Sequence, residues 1–174
     1  QDEADESTED IDSKTQLLCE AWKETHIVCH QEQYILNHMI VFAPTIQKSK
    51  QIAEYLAEQL PDTVVIHVDP STPINTCIRN YEQAPRAILV NCYMLGEGID
   101  IPITNAVAFM YPKQSHIQIT QMVLRAGRWN PNKSVFHILF PTITTEDLNG
   151  FRDALISLSK DDPMIVNELM NTMG

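Results

Sequence analysis

The side chains best suited to chemistry fall in the run Gln121-Met122-Val123-Leu124-Arg125-Ala126-Gly127-Arg128. On a helix of 3.6 residues per turn, positions 121, 125 and 128 lie within roughly 60° of one another, while Met122, Val123 and Ala126 point away. One amide and two guanidiniums then share a stripe. A guanidinium suits a phosphate because its planar fork donates in pairs and never loses its charge. Two arginines one turn apart repel each other unless an anion or a carboxylate lies between them. The plainer alternative is a solvated basic helix end favoured by the helix dipole.

Two further segments could meet a ligand. Gly96-Glu97-Gly98-Ile99-Asp100-Ile101-Pro102 follows an apolar strand-length run. Beyond the carboxyl end of a strand, glycines let the backbone approach a phosphate or a ribose closely. Asp100 there could accept from a sugar hydroxyl or orient an arginine, and a glycine-eased turn ended by Pro102 is the alternative. In Ile40-Val41-Phe42-Ala43-Pro44-Thr45 a strand runs into an amphipathic stretch. Thr45 can cap that helix, whose first amides make a phosphate site.

These positions need a scaffold, and the hydrophobic pattern supplies one. Apolar runs at Met39 to Ala43, Val64 to Val68, Ala87 to Val90, Ala106 to Tyr111 and Val135 to Phe140 are of strand length and rich in Val, Ile and aromatics. Between the first two, Ile52, Ala53, Leu56, Ala57 and Leu60 share one face of a helix over Ile46 to Leu60. Helices are also expected at Ser13 to Glu24, Ile74 to Tyr81, near Met94, and over Ser115 to Arg128. Strands alternating with helices predict an α/β fold, a parallel sheet of five or six strands covered on both faces. Thr145 to Lys160 reads as a further helix, and Pro163 opens a last short one. The expected organisation is an acidic, unstructured tail over 1–12, the α/β domain over 13–142 and a helical extension over 143–174.

Composition narrows the function classes. The chain has 174 residues, 44% of them hydrophobic and 20% charged, enough for one substantial core. No apolar run is long enough to span a membrane, and the acidic start does not resemble a signal peptide. An intracellular setting, cytoplasm or nucleus, and a monomeric state are therefore expected. The net charge of −11 is uneven, since Asp2, Glu3, Asp5, Glu6, Glu9, Asp10 and Asp12 sit in the first twelve residues. The rest carries −4, so a local grip on phosphates is not excluded. Cys19, Cys29, Cys77 and Cys92 fall at no metal-ligand or disulfide spacing and read as reduced thiols. His26, Cys29 and His30 cluster, but one cysteine with two nearby histidines is weak evidence for zinc, and no metal site is expected.

Taken in order, the three chemical segments resemble the motifs of the second RecA-like motor domain of superfamily 2 helicases, over about residues 39 to 141. Ile40 to Thr45 looks like motif IV, Ala87 to Pro102 like motif V, and Gln121 to Arg128 like motif VI, with Pro112 and Ser115 in its lead-in. Ile99-Asp100-Ile101-Pro102 and the Gln-x-x-x-Arg-x-Gly-Arg pattern carry the resemblance. Where motif VI commonly has glycine this chain has Leu124, and where motif V often has threonine it has Cys92, so that the hydroxyl's phosphate contact is either missing or supplied by Asn91.

The resemblance implies roles. Arg128 would be the arginine finger on the γ-phosphate of ATP, with Arg125 beside it and Gln121 nearby. Gly98 and Asp100 would touch the nucleotide or orient the finger. Pro44, Thr45 and the segment Asn91, Cys92 and Tyr93 would meet the sugar-phosphate backbone of a nucleic-acid strand. DNA is favoured over RNA, because the wording Gly96 to Pro102 resembles DNA translocases and large-DNA-virus helicases. ATP and Mg2+ would be held mainly by an upstream RecA-like domain of the same protein. No glycine here is followed by the Lys-Ser or Lys-Thr pair of a Walker A loop. Asp2-Glu3-Ala4-Asp5 spells the magnesium-binding tetrapeptide of DEAD-box helicases, yet it lies in an acidic tail with no strand before it. The chain alone is thus expected to hydrolyse no ATP. The alternatives are a helicase-like scaffold that docks partners, and a stand-alone nucleotide-binding enzyme built on Gly96 to Asp100.

Overall fold

The computed structural model describes residues 6–24, 27–29, 32–92, 101–110 and 136–161. Along the chain these form α1 (Glu6–Lys23), β1 (Ile27–Cys29), β2 (Glu32–Tyr34), β3 (His38–Phe42), α2 (Ile46–Gln59), β4 (Val64–Val68), α3 (Ile74–Gln83), β5 (Ala87–Asn91), β6 (Ala106–Phe109), β7 (His137–Leu139) and α4 (Thr145–Asp161). The five strands read from the apolar runs are β3 to β7, and they pair in the order β4-β5-β3-β6-β7. All four pairings are parallel, with Ile40 opposite Leu89 and Val107 and with Phe42 opposite Asn91 and Phe109. This is the expected parallel α/β sheet. β3, β5 and β6 are buried at every position, which is why their sequences are continuously apolar and not alternating.

Each strand still sorts its side chains by parity, because successive Cβ atoms leave opposite faces. Met39, Val41, Ile88, Val90, Ala106 and Ala108 pack on one side with Leu18, Cys19 and Trp22 of α1 and Ile52, Ala53 and Leu56 of α2. Ile40, Phe42, Leu89, Val107 and Phe109 pack on the other with Cys77 and Tyr81 of α3 and Phe151 and Ala154 of α4. There Phe42, Phe109, Phe140 and Phe151 stack in series at centroid spacings of 5.1, 5.7 and 4.5 Å. Burying one such ring stabilises the fold by about 2 to 3 kcal/mol. α4 therefore covers the sheet and does not hang from it.

Two elements differ from expectation. The helix expected to start at Ser13 starts at Glu6, so residues 6–12 of the acidic run are helical. Nothing in the sequence from Glu6 to Lys23 breaks a helix, since it holds neither glycine nor proline. The antiparallel pair β1–β2, with Ile27 opposite Tyr34, has no counterpart in the reading of the sequence. Its strands are three residues long, too short for a period-2 pattern, and no Asn-Gly or Asp-Gly turn signal separates them. The helices expected near Met94, over Ser115 to Arg128 and after Pro163 lie outside the described residues.

Polar clasps fix the amino ends of the strands. Arg86 donates through Nη2 to the carbonyls of Trp22 and Leu36, each at 2.8 Å, with its guanidinium 4.4 Å from the Trp22 ring centre. His38 is buried edge-on to Tyr81, with Nε2 2.9 Å from the Ala84 carbonyl and Nδ1 3.2 Å from Asn37 Oδ1. Asn105 accepts from the amides of Asn37 and His38 and donates to the Ile35 carbonyl.

At the opposite end of β6, Lys14 of α1 is fully buried and donates to Asp147 Oδ1 at 2.8 Å. Asp147 and Thr144 cap α4 reciprocally: Thr144 Oγ1 accepts from the Asp147 amide, while Asp147 Oδ2 accepts from the amides of Ile143 and Thr144. Burial raises the Asp147 carboxyl, but the hydrogen bonds from Lys14, Ile143 and Thr144 and the Lys14 charge outweigh it and hold it below the usual carboxylate range.

Candidate nucleotide and nucleic-acid interface

The carboxyl ends of β3 and β5 stop side by side and start the candidate interface. Beyond Phe42 the ladder runs one step further, the Ala43 amide donating to the Asn91 carbonyl at 2.9 Å. Pro44 then ends the strand, since it offers no amide. Thr45, exposed and extended at φ −138° and ψ 160°, accepts from the Lys48 amide at 3.1 Å and caps α2. The Ser49 amide donates to the Thr45 carbonyl at 2.9 Å, so the helix is closed from its first turn. The amides of Ile46 and Gln47 head a 14-residue helix at the edge where a parallel sheet binds ligands. Ile46 is 46% exposed there, an apolar side chain beside a phosphate-competent turn.

Asn91 and Cys92 flank this turn from β5. The Asn91 side chain is fully buried and donates to the Val41 carbonyl at 3.2 Å. Its amide therefore sets the spacing of the two strand ends. Cys92 is half-buried, and burial pushes its thiol above the ordinary range, so it stands as a neutral, weak donor and not as a thiolate. Pro44, Thr45, Asn91 and Cys92 are thus brought to one edge by the β3–β5 register. Tyr93, Gly98, Asp100, Gln121, Arg125 and Arg128 lie outside the described residues. The first three follow Cys92, and the arginine segment falls between Met110 and Phe136.

Two side chains of β4 and the turn after it, His67 and Asp69, join the same edge without having been singled out in the sequence. The buried Ser49 hydroxyl donates to the Ile46 carbonyl at 2.7 Å and sits 2.8 Å from His67 Nε2. With its hydrogen already given away, Ser49 accepts from the ring, so the pair is a strut between α2 and β4 and not an activated nucleophile. After β4, Asp69 accepts from the amide and hydroxyl of Ser71 and from the Thr72 hydroxyl, and these bonds hold its carboxyl below the usual range. The signal was Asp-Pro-Ser-Thr-Pro, a turn sequence directly after an apolar run. Among the described residues no three His, Cys, Asp or Glu side chains are grouped as metal ligands would be.

Comparison with known proteins agrees with this architecture. The helicase conserved C-terminal domain matches residues 14–130. A probable helicase of African swine fever virus is 26% identical over 180 residues, covering 96% of this chain and 20% of the viral protein. The chain thus spans about a fifth of the length of the viral relatives it matches. Among solved structures, the C-terminal domain of the DEAD-box protein Dbp5 superposes with a TM-score of 0.63 at 16% identity, covering 92% of this chain and 91% of that one. The type ISP restriction-modification enzyme LlaBIII superposes with a TM-score of 0.66 at 21% identity, over 87% of this chain and 12% of that chain. At such identities these two likenesses speak for the fold. The domain match covers most of the chain, and the chain belongs to the helicase conserved C-terminal domain family, with a RecA-like parallel α/β fold.

Proposed function

We propose that this chain is the second motor domain of an ATP-dependent nucleic-acid helicase or translocase, supplying the arginine side of an ATP site and part of the strand-binding surface. The observation that carries the reading is the Thr45-capped start of α2 beside the buried Asn91 and half-buried Cys92, within a family match that extends through Gln121 to Arg128. Arg128 is the finger for the γ-phosphate, Arg125 and Gln121 stand with it, and Gly98 and Asp100 meet the nucleotide. Pro44, Thr45, Cys92 and Tyr93 take the sugar-phosphate backbone, with Asn91 holding the two strand ends at their spacing. Such contacts position a strand without reading its sequence.

Mg2+ and the triphosphate fall to an upstream RecA-like domain. Asp69, the carboxylate at the end of β4, is already engaged by Ser71 and Thr72. Closure and reopening of the cleft between the domains would advance the motor. LlaBIII was solved bound to DNA and Mss116p domain 2 bound to an RNA duplex, so the fold serves both polymers. The Gly96 to Pro102 wording, which resembles that of DNA translocases, favours DNA. A calorimetric titration of the 174 residues with a non-hydrolysable ATP analogue tests the half-site. Heat absent at millimolar analogue supports it, and saturable binding favours a stand-alone nucleotide enzyme.

A further inference from the structure

α1 carries two stripes. Leu18, Cys19 and Trp22 pack on the sheet, while Ser13, Gln16, Leu17 and Glu20, spaced at i, i+3, i+4 and i+7, are exposed on another side of the helix. This second stripe is one wall of a groove of about 300 Å3 whose other wall is Ile143, at the entry to α4. Leu17 is 41% exposed and Ile143 is 44% exposed. One exposed aliphatic side chain is ordinary on a protein surface, but two that converge in a concavity leave apolar area that the domain does not cover itself.

The walls are fixed from beneath. Lys14, buried behind the stripe, donates to Asp147 Oδ1 at 2.8 Å, and Asp147 Oδ2 accepts from the Ile143 amide at 3.2 Å. A ligand would therefore meet a groove whose walls are already joined, and would have little to order on binding. The Lys14 charge is compensated by Asp147, and what surrounds the groove is acidic. Glu20 lines it, Glu146 is exposed three residues beyond Ile143, and the first two turns of α1 carry Glu6, Glu9, Asp10 and Asp12 in sequence. Lys23 in the last turn of α1 is the opposing charge.

We propose that this groove docks a basic amphipathic segment of a partner protein, its apolar side chains seated between Leu17 and Ile143 and its lysines or arginines facing Glu20 and Glu146. Apolar anchors three and four residues apart on a helix fit a groove of this kind. The carboxylates repel a nucleic-acid strand, and a second copy of the chain would bring its own acidic helix into the contact. The proposal does not depend on the assignment of the arginines to an ATP site.

The test uses the full-length protein and a fluorescent synthetic helix of lysine and leucine with the leucines on one face. Two control peptides carry serine for leucine or glutamate for lysine. Anisotropy is expected to show saturable binding of the first peptide alone. Affinity should fall about tenfold or more in Leu17→Asp/Ile143→Asp and in Glu20→Lys, and by less than about threefold in Glu82→Lys, the same charge change on the exposed side of α3 across the sheet. Melting curves check that each variant is folded, and Glu20→Lys with the control peptides decides the matter if the double variant is not. Leu17→Asp/Ile143→Asp adds negative charge, so tighter binding there means diffuse attraction and overturns the proposal. Equal losses in Glu20→Lys and Glu82→Lys overturn it too, as does a parent that does not bind. The other occupants are read from a maleimide reaction at Gln16→Cys, expected to be fast in the free protein and slowed by the peptide. A thiol already shielded without peptide overturns the proposal, in favour of a second copy if the shielding grows with protein concentration and of the protein's own chain if it does not.

Discussion

The buried side chain of Asn91 donates to the carbonyl of Val41 at 3.2 Å, tying the last residue of β5 to β3 one residue before that strand ends. Everything placed at this edge by the backbone, from Pro44 and Thr45 to Cys92, inherits its spacing from that bond. Asn91→Leu keeps the branched shape but removes the donor, leaving the Val41 carbonyl short of a partner. The expected loss of stability is about 1 to 3 kcal/mol, read from urea denaturation midpoints. Strand affinity in the full-length protein is expected to fall with it. A variant as stable as the parent would show that the bond does not hold the edge.

Thr45 offers a cleaner separation of folding from binding. Thr45→Ala removes the acceptor for the Lys48 amide and should cost about 1 kcal/mol, whereas Thr45→Ser restores it. If the first turn of α2 also meets a phosphate, Thr45→Ala in the full-length protein weakens strand binding at every salt concentration, with little dependence on sequence. Binding unchanged in that variant would leave Thr45 a cap and nothing more.

His38 gives the domain a pH dependence of known sign. Burial lowers the pKa of its imidazole, against the opposing pull of the Ala84 and Tyr81 carbonyls and the Glu82 charge. The folded state therefore prefers the neutral ring. The contribution of His38 to stability is present above the unfolded value of 6.5 and is lost as pH falls through the lower folded value. Denaturation midpoints taken downward from pH 7.5 should decline for the parent and decline less for His38→Gln. Parallel declines would locate the acid sensitivity elsewhere.

Tyr81 tests the packing behind that histidine. Its hydroxyl lies 2.9 Å from the buried Thr104 hydroxyl, and burial pushes the phenol far above its ordinary range despite that bond. Tyr81→Phe strands the Thr104 hydroxyl and is expected to destabilise by about 1 to 2 kcal/mol, while Tyr81→Phe/Thr104→Val should recover part of the loss. No recovery in the double variant would contradict the pairing.

The parts of the fold legible in the sequence were those written in local pattern. Met39 to Ala43 and Ala87 to Val90 are apolar without interruption because both faces of β3 and β5 are covered, and Ile52, Leu56 and Leu60 recur at helical spacing because α2 buries one stripe. Thr45 was readable as a cap because capping is decided within three residues. What stayed hidden depends on contacts far apart in the chain. Nothing near Lys14 marks it as buried, since its partner stands 133 residues away. Arg86 reads as an ordinary surface cation until Trp22 and Leu36 are folded around it. Asn91 was readable as a residue at a strand end, but its inward orientation follows from the β3–β5 register.

The central claim is that the chain supplies the arginine half of an ATP site, and steady-state ATP hydrolysis by the full-length protein carrying Arg128→Ala tests it most directly. The account predicts turnover lowered by roughly a thousandfold or more, with affinity for a non-hydrolysable ATP analogue within about threefold of the parent. Turnover equal to the parent's would contradict it.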